Sequence, residues 1–409
     1  MVLSTTKIIN TIQWLITVFM SASFLLFDSY TWGKYSHIIC AVLIFLLTVI
    51  KNKGKIRICL APYILFLAVF SLFIALTSIW AITPSDTLQM TRTMLRTLGC
   101  FALVYWAYMD DDDPYRIVTA IIFASYVVAI YSITVFGFDK IVSVSSEIFS
   151  DESFANINSI SMFLAFGIIC ELYLILFRGF RWYSLLTVLS IVVIAASRTR
   201  KSIVFVVLGV VLLLLFRFSK SKSVGFRLLR IVSVLFIAFS VVYIASQLPI
   251  FASVNMRLEQ MLNTFLGEGK MDTSSLMRNE LVELGLFCFS KKPLTGIGMA
   301  CTHSYAWVNL YFDAYLHNNY VELLAGGGIF AFIIFYSMYV YLIWGFFKIK
   351  REAPEWFAFG IVMIMLMLLA DFGRVSYYSK PVLFELMILF LIVRIVRRRK
   401  ETADVLEAP

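Results

Sequence analysis

The sequence predicts an all-α polytopic membrane protein, with about 12 transmembrane helices and one larger outer-face loop segment between spans 9 and 10. Composition is the first observation: of 409 residues, 61% are hydrophobic and 15% are charged. Soluble domains have about 45–50% apolar and about 25% charged residues. The other two observations are the long apolar runs and the concentration of Lys and Arg in the loops between them, both typical of membrane proteins.

The apolar runs define the predicted spans, because a helix needs about 20 residues to cross the hydrocarbon layer. They cover about 8–27, 37–50, 58–80, 92–109, 116–137, 157–177, 182–197, 201–218, 228–248, 317–346, 355–371 and 381–396. The seventh is short and the tenth is long. Twelve spans place both termini on the same side of the membrane.

Loop charges predict which side that is, since loops rich in Lys and Arg stay in the cytoplasm. With twelve spans the basic segments all lie on one side; they are 51–57, 178–181, 217–227, 348–351 and 394–400. We therefore expect a multi-pass protein of the cytoplasmic (inner) membrane with both termini cytoplasmic. These loops account for the net charge of +10, so nucleic acid is not expected as a partner.

One segment interrupts this pattern and divides the chain into three regions. They are transmembrane helices 1–9 (1–248), an extracytoplasmic loop segment with an amphipathic helix (249–316), and transmembrane helices 10–12 with a basic cytoplasmic tail (317–409). The middle region is the only one outside the membrane that is large enough to hold a site. Within it, Ser275 to Phe289 places Arg278, Val282 and Gly285 along one face at helical spacing.

Three cations in the outer loop Ser197–Lys201 break the positive-inside trend: Arg198, Arg200 and Lys201. An Arg at the centre of a membrane helix costs about 2.5–3.5 kcal/mol and less near the interface. Such residues are usually retained to bind an anion. The alternative is that these side chains snorkel from helix ends to lipid phosphates.

Arg278 lies on the apolar face of the amphipathic segment and is a second candidate. Alternatively it is a surface residue paired with Glu280 or Glu283, although spacings of two and five residues do not face each other well on a helix. Arg92 and Arg96 form an i,i+4 pair that enters the fourth span and adds positive charge.

His317 opens the tenth span, where an imidazole exchanges a proton near neutral pH. The alternative is a His that only caps the helix. Glu322 follows within the same span, and an intramembrane carboxylate is a functional candidate unless it pairs with an Arg of another helix. His37 and His303 have no supporting context.

No cofactor or metal is expected. The run Asp110 to Asp113 is typical of a metal site, but the predicted topology places it in the cytoplasm, away from the other candidates, as a solvated loop. The sequence has no P-loop, no G-x-G-x-x-G and no G-x-S-x-G motif. A mechanism driven by ATP or by a soluble cofactor therefore has no motif to support it.

Three stretches together resemble the O-antigen polymerase and O-antigen ligase family of bacterial envelope glycosyltransferases. They are the loop Ser197–Lys201, the Arg-led helix and Pro-x-x-Gly-x-Gly turn of Ser274–Ala300, and the stretch Tyr315–Tyr341, in which His-Asn is followed by Gly328. Their order, spacing and topology make the resemblance, which covers the second half of the chain.

The resemblance implies metal-independent transfer of a glycan that is linked through pyrophosphate to a polyprenol and presented at the outer face. Carried over by position, it implies catalytic roles for Arg198, Arg278 and His317. The candidate substrate-binding residues are Arg200, Lys201, Asn318 and Glu322. Two departures are that Arg200 fits the spacing as well as Arg198, and that Ala331 stands where the family often has Gly or a polar residue.

The chemistry of these residues suits that substrate. Breaking a sugar–pyrophosphate bond releases an anion, which fixed guanidinium groups stabilise with little reorganisation. A His orients or deprotonates the acceptor hydroxyl, a contribution of about 10²–10⁴-fold. The expected partners are thus the bilayer and a polyprenyl-pyrophosphate-linked oligosaccharide, together with a flippase and chain-length regulator proteins.

Three functions compete. A polymerase joins lipid-linked repeat units into O-antigen, capsule or exopolysaccharide, whereas a ligase moves finished glycan onto another acceptor. The polymerase is favoured because the outer segment is compact and His-Asn-Asn-Tyr-x-Glu resembles the polymerase branch. A flippase or transporter of lipid-linked sugar would be expected to show inverted repeats or broken helices near mid-membrane, and the sequence indicates neither.

Overall fold

The computed structural model describes residues 5–27, 30, 32–56, 58–136, 157–197, 199–218, 225, 232–233, 273–312 and 314–406. Across these residues the secondary structure is helical, with no strand. The helices are α1 (Thr5–Leu26), α2 (Gly33–Lys51), α3 (Pro62–Thr77), α4 (Pro84–Tyr108), α5 (Tyr115–Phe136), α6 (Ile157–Arg178), α7 (Thr187–Ala196, after a 3₁₀ turn Trp182–Leu186), α8 (Arg200–Phe218), α9 (Thr273–Lys291), α10 (Thr302–Leu310), α11 (Asn319–Ile349), α12 (Pro354–Ala370) and α13 (Lys380–Leu406).

Each predicted apolar run corresponds to one of these helices except the run 228–248, which lies almost wholly outside the described residues. Helices α9 and α10 belong to the predicted outer segment and correspond to no apolar run. By length and composition, four described helices are apolar enough to cross a membrane: Thr5–Leu26, Tyr115–Val135, Ile157–Arg178 and Asn319–Ile349. Other apolar helices, such as α3 and α12, are shorter. The predicted all-α architecture is confirmed for the described residues and fits a membrane protein, while the count of twelve spans stays a prediction.

Local sequence explains where several helices begin. Proline occupies the first turn of α3, α4 and α12, at Pro62, Pro84 and Pro354. Its fixed φ and missing N–H suit that position. The helices then pack around a buried core, with α1 against α2 and α5, and α11 against α3, α9 and α12.

One end of the bundle is held by ion pairs to Asp110 to Asp113, the predicted solvated loop. Three of these four side chains are at least one-third exposed, and Asp111 is largely buried. Only Asp112 is fully exposed. The pairs are Arg398–Asp110 (2.9 Å), Arg116–Asp111 (2.7 Å), Lys51–Asp111 (3.7 Å), Arg178–Asp113 (3.6 Å) and Arg399–Asp113 (3.7 Å). Three segments that the charge pattern assigns to one side therefore meet at this end: the loop after α2, the loop after α6 and the tail.

The opposite end contains a helix break that the sequence analysis did not anticipate. α11 is interrupted at Gly328, whose φ of 66° and ψ of −163° are not helical. The turn at Pro293 to Gly298 lies across the break. Three backbone hydrogen bonds join them, from Ile297 N to Ala325 O (2.9 Å), from Gly298 N to Gly326 O (2.8 Å) and from Ile329 N to Pro293 O (2.9 Å).

This break bears on the transporter hypothesis, which the sequence analysis disfavoured partly because no broken helix was expected. That expectation concerned the middle of the membrane, whereas this break lies at one end of the bundle, so the expectation stays a prediction. Backbone from the turn fills the break, whereas in transporters broken helices line a substrate path. The glycines of the turn allow this contact, because a Cβ on Gly296 would lie 2.4 Å from the carbonyl carbon of Gly326.

Gly328→Ala is expected to prevent correct folding. A φ of 66° with ψ near −163° is essentially restricted to glycine, and the added Cβ would lie 2.2 Å from Leu294 O. We expect little protein in membranes and an aggregated profile after solubilisation, measured by fluorescence-detected size-exclusion chromatography. Gly99→Ala is the control, since no atom lies within 4 Å of its added Cβ. Normal abundance of Gly328→Ala would contradict the interpretation of the break.

The predicted amphipathic segment is confirmed as a helix, α9. Its buried face passes through Leu281, Gly285 and Cys288. Gly285 allows close packing, because an added Cβ would lie 2.4 Å from the side chain of Leu316. Of the predicted face, Gly285 is thus buried, and Arg278 is half-buried at its edge, beside the cavity described next.

Candidate active site

A cavity of about 500 Å³ lies at the end of the bundle opposite the aspartate cluster. It collects residues from α1, α2, α4, α6, α8, α9 and α13, and from the loops before α11 and after α12. Arg278, His317 and Lys201 all line it. The structure therefore brings together three of the predicted site residues from distant parts of the chain.

Positive charge is concentrated on one side of this cavity. The charges of Arg278 and Arg374 both act on Lys201. The Lys201 ammonium donates a hydrogen bond to the carbonyl of Gly373, which fixes its position next to Arg374. Arg374 Nε lies 4.0 Å from Asp371 Oδ1. The three cations outnumber the two nearby carboxyl groups, those of Asp371 and Glu385, and leave an excess of positive charge, as an anion-binding site requires.

His317 lies beside these cations. Its backbone is left-handed, with φ of 54°, at the turn that leads into α11. Its ring centroid is 4.3 Å from that of Tyr315. Burial, and then the charges of Arg278 and Lys201, lower the pKa of His317 to about 4. The imidazole is therefore neutral at physiological pH and can accept a proton or a hydrogen bond.

The turn that carries His317 is held from both sides by its neighbours. Asn318 caps α11, with its side-chain oxygen accepting from Tyr320 N at 3.0 Å and Val321 N at 3.2 Å. Glu322 is buried and accepts hydrogen bonds from the Thr302 hydroxyl and, at 3.0 Å, from Leu316 N. Neither residue is among those that line the cavity, and both make contacts that support the turn carrying His317.

The structure describes only part of the other two predicted cations, Arg198 and Arg200. Arg198 lies outside the described residues. Arg200 opens α8, and its side chain lies outside the described part. Their neighbours Thr199 and Lys201 both line the cavity, and Thr199 Oγ1 is 3.3 Å from Asn158 Oδ1 on α6. Thr199 and Lys201 thus bring the described end of this loop to the cavity wall.

Arg374 and Lys380 were not predicted from the sequence, and His37 was left unassigned. Both basic residues belong to the loop between the last two predicted spans, which lies on the outer side in the predicted topology. Like the cations of Ser197–Lys201, they run against the positive-inside trend, so both could have been predicted from the sequence. His37 had no such signal, because one His in an apolar helix gives no indication of what it faces.

No metal-binding arrangement is evident within the described part of the chain, where no group of three or more His, Cys, Asp or Glu side chains is placed to hold an ion. The acidic residues of Asp110 to Asp113 are instead engaged with Arg and Lys. The prediction that transfer needs no metal stays a prediction.

Comparison with known proteins agrees with the resemblance seen in the sequence. Residues 185–336 match the family model described as O-antigen ligase. This range begins in the 3₁₀ turn before α7 and ends in α11, so it includes Lys201, Arg278 and His317. No curated protein matches the chain. The match supports, over these residues, the resemblance to the O-antigen polymerase and O-antigen ligase family.

Proposed function

We propose that the protein is a metal-independent glycosyltransferase that polymerises polyprenyl-pyrophosphate-linked oligosaccharide repeat units at the outer face of the cytoplasmic membrane. The observation that supports this most directly is the cavity, where Lys201, Arg278 and Arg374 stand around a neutral His317. Fixed cations next to a neutral base suit a reaction that releases an anion and removes a proton from a hydroxyl.

In the proposed reaction, the acceptor hydroxyl oxygen attacks the anomeric carbon of the donor sugar. A new carbon–oxygen bond forms as the bond between that carbon and the pyrophosphate oxygen breaks. The bond electrons leave with the polyprenyl pyrophosphate, whose growing charge the three cations stabilise. The hydroxyl proton passes to His317 and then to solvent. Arg is suited to this role because its planar fork binds phosphate oxygens in pairs and stays charged.

Substrate binding would also change the pKa of His317. The two charges that lower its pKa belong to Arg278 and Lys201. A bound pyrophosphate neutralises these cations, so the pKa of His317 rises towards its ordinary value. The imidazole becomes a stronger base only when the donor is in place, which favours transfer over proton uptake in the empty site.

Ligation is the second candidate, because the matching family model is described as O-antigen ligase. A ligase would use the same donor and the same cations, and it would differ in the acceptor, which is not another lipid-linked repeat unit. A flippase and chain-length regulator proteins remain proposed partners in either case.

Glycan extension by purified protein tests both the function and the absence of a metal. With a lipid-linked repeat unit as the sole substrate and excess EDTA present, we expect a ladder of lengthened products on gels. A ligase would give no ladder from this substrate alone. Activity that EDTA abolishes and that Mg²⁺ or Mn²⁺ restores would contradict the role of the Arg and Lys cluster in place of a metal.

The orientation is tested by cysteine labelling of intact cells. In a background without the six native cysteines, cysteine is introduced at Lys292, in the turn after α9, or at Lys350, after α11. Both positions are exposed. We expect an impermeant thiol reagent to label position 292 and not position 350, because the site should face outward. The reverse pattern would overturn the orientation and place the cavity on the cytoplasmic side.

A further inference from the structure

The cavity has a second basic region, away from His317. It is formed where α2, α4 and α13 approach each other and is lined by His37, Arg96 and Lys380. His37 is only 4% exposed. Its Nε2 atom is 3.3 Å from the Lys380 ammonium, and its Nδ1 atom is 3.2 Å from the hydroxyl of Ser23. Because an ammonium can only donate, Nε2 accepts and Nδ1 carries the proton.

The two basic regions act on different neighbours. The cations that act on His317 are Arg278 and Lys201. Those that act on Cys100, which also lines the cavity, are Lys380 and Arg96. The buried side chain of Glu385 lines the cavity too, and the charge that acts on it is that of Arg374. The cations of the two regions therefore act on different side chains of the cavity.

The lining of the cavity also includes apolar side chains, namely Phe24, Leu25, Ile38, Phe101, Met162 and Val382. A volume of about 500 Å³ lies within the range of ligand pockets, about 300–1,000 Å³, and exceeds what one phosphate group needs. The cavity thus combines two groups of cations with apolar surface that suits a lipid chain.

We propose that Arg96 and Lys380 form a second pyrophosphate-binding position, which holds the acceptor's polyprenyl pyrophosphate while the first region holds the donor's. The inference rests on the proposed polymerase function, in which both substrates are lipid-linked and both contain a pyrophosphate. Arg96 supplies a planar fork and Lys380 a compact charge. His37 is a positioning residue that accepts a hydrogen bond from Lys380 and directs it into the cavity.

Equilibrium dialysis with radiolabelled inorganic pyrophosphate tests this position. The full-length protein is held in nanodiscs at low salt, because screening weakens such binding. We expect two pyrophosphates per wild-type chain, and one for the double variant Arg96→Gln/Lys380→Gln, with at least a tenfold loss of affinity at the second site. The Arg278→Gln variant should lose the first site, which holds the donor's pyrophosphate, and bind one pyrophosphate per chain. The variant Arg96→Lys/Lys380→Arg exchanges the two basic residue types and keeps both positive charges, so it should still bind two pyrophosphates.

The matched control is Arg92→Gln/Lys292→Gln, which removes the same charges from exposed positions that do not line the cavity. It should still bind two pyrophosphates. One pyrophosphate per wild-type chain, or two for Arg96→Gln/Lys380→Gln, would overturn the inference. Glycan extension measured on the same nanodiscs separates the two proposals. Extension with a single pyrophosphate-binding site would support the polymerase function and contradict the second position. Two binding sites without extension would support the second position and contradict the polymerase function.

Discussion

Replacing Arg278 by lysine should lower the rate of glycan extension by about 10²–10³-fold, as for the loss of one preorganised group that stabilises developing charge. Lysine keeps the positive charge but lacks the planar fork that binds two phosphate oxygens at once. A lysine ammonium also reaches a different point in the cavity, so the charge is no longer aimed at the leaving oxygen. Chain length on gels, with membrane abundance checked by immunoblot, measures the effect in cells.

Lys292→Ala is the matched control for Arg278. It removes a cation from the turn that follows the same helix, at an exposed position outside the cavity. We expect chains of normal length. If Arg278→Ala also gives long chains at normal abundance, Arg278 does not contact the pyrophosphate, and the proposed cationic site must be abandoned.

Apolar periodicity and loop charge predicted the helices well, because both reflect constraints that a membrane imposes on each segment separately. The predicted run 8–27 corresponds to α1 and the run 157–177 to α6, with ends that differ by a few residues. The ninth run lies almost wholly outside the described residues, so the comparison does not extend to it. The break at Gly328 was not predicted, because it depends on a turn about thirty residues earlier in the sequence that supplies its hydrogen bonds.

The candidate site was predicted in part. Arg278, His317 and Lys201 do meet in one cavity, and the resemblance to a family contributed as much as the residues themselves. Arg374 was missed, although it is a cation on the predicted outer side and the charge pattern that indicated Ser197–Lys201 applies to it as well.

Two predicted residues near His317, Asn318 and Glu322, were expected to bind substrate, and that stays a prediction. In the structure the side-chain oxygen of Asn318 caps α11, and the carboxyl group of Glu322 holds the turn before it. Residue type and spacing did not distinguish a side chain that faces a ligand from one that supports the backbone beside it. We propose that both residues position His317.

His317→Ala should lower the rate of extension by about 10²–10⁴-fold, the usual contribution of a positioned proton acceptor. The pH dependence of the wild-type enzyme tests the assignment more specifically. The pKa of His317 in the free protein is lowered to about 4, by burial first and then by Arg278 and Lys201. The imidazole therefore stays neutral as the pH falls from 8 to 5, where an ordinary His with pKa about 6.5 would be protonated.

The values of kcat/KM and kcat should consequently differ in their response to acid. The parameter kcat/KM reports groups of the free enzyme, and kcat reports those of the complex with substrate. The value of kcat/KM should fall only as the pH approaches about 4, where His317 becomes protonated. Bound pyrophosphate neutralises Arg278 and Lys201 and raises the pKa of the imidazole, so kcat should fall at a higher pH.

His303→Ala, at the partly exposed His that pairs with Asp86 outside the cavity, should leave both profiles unchanged. A loss of kcat/KM centred near pH 6.5 would show that the base is not the buried, cation-flanked His317, and the assignment of the acceptor proton to this residue would fail.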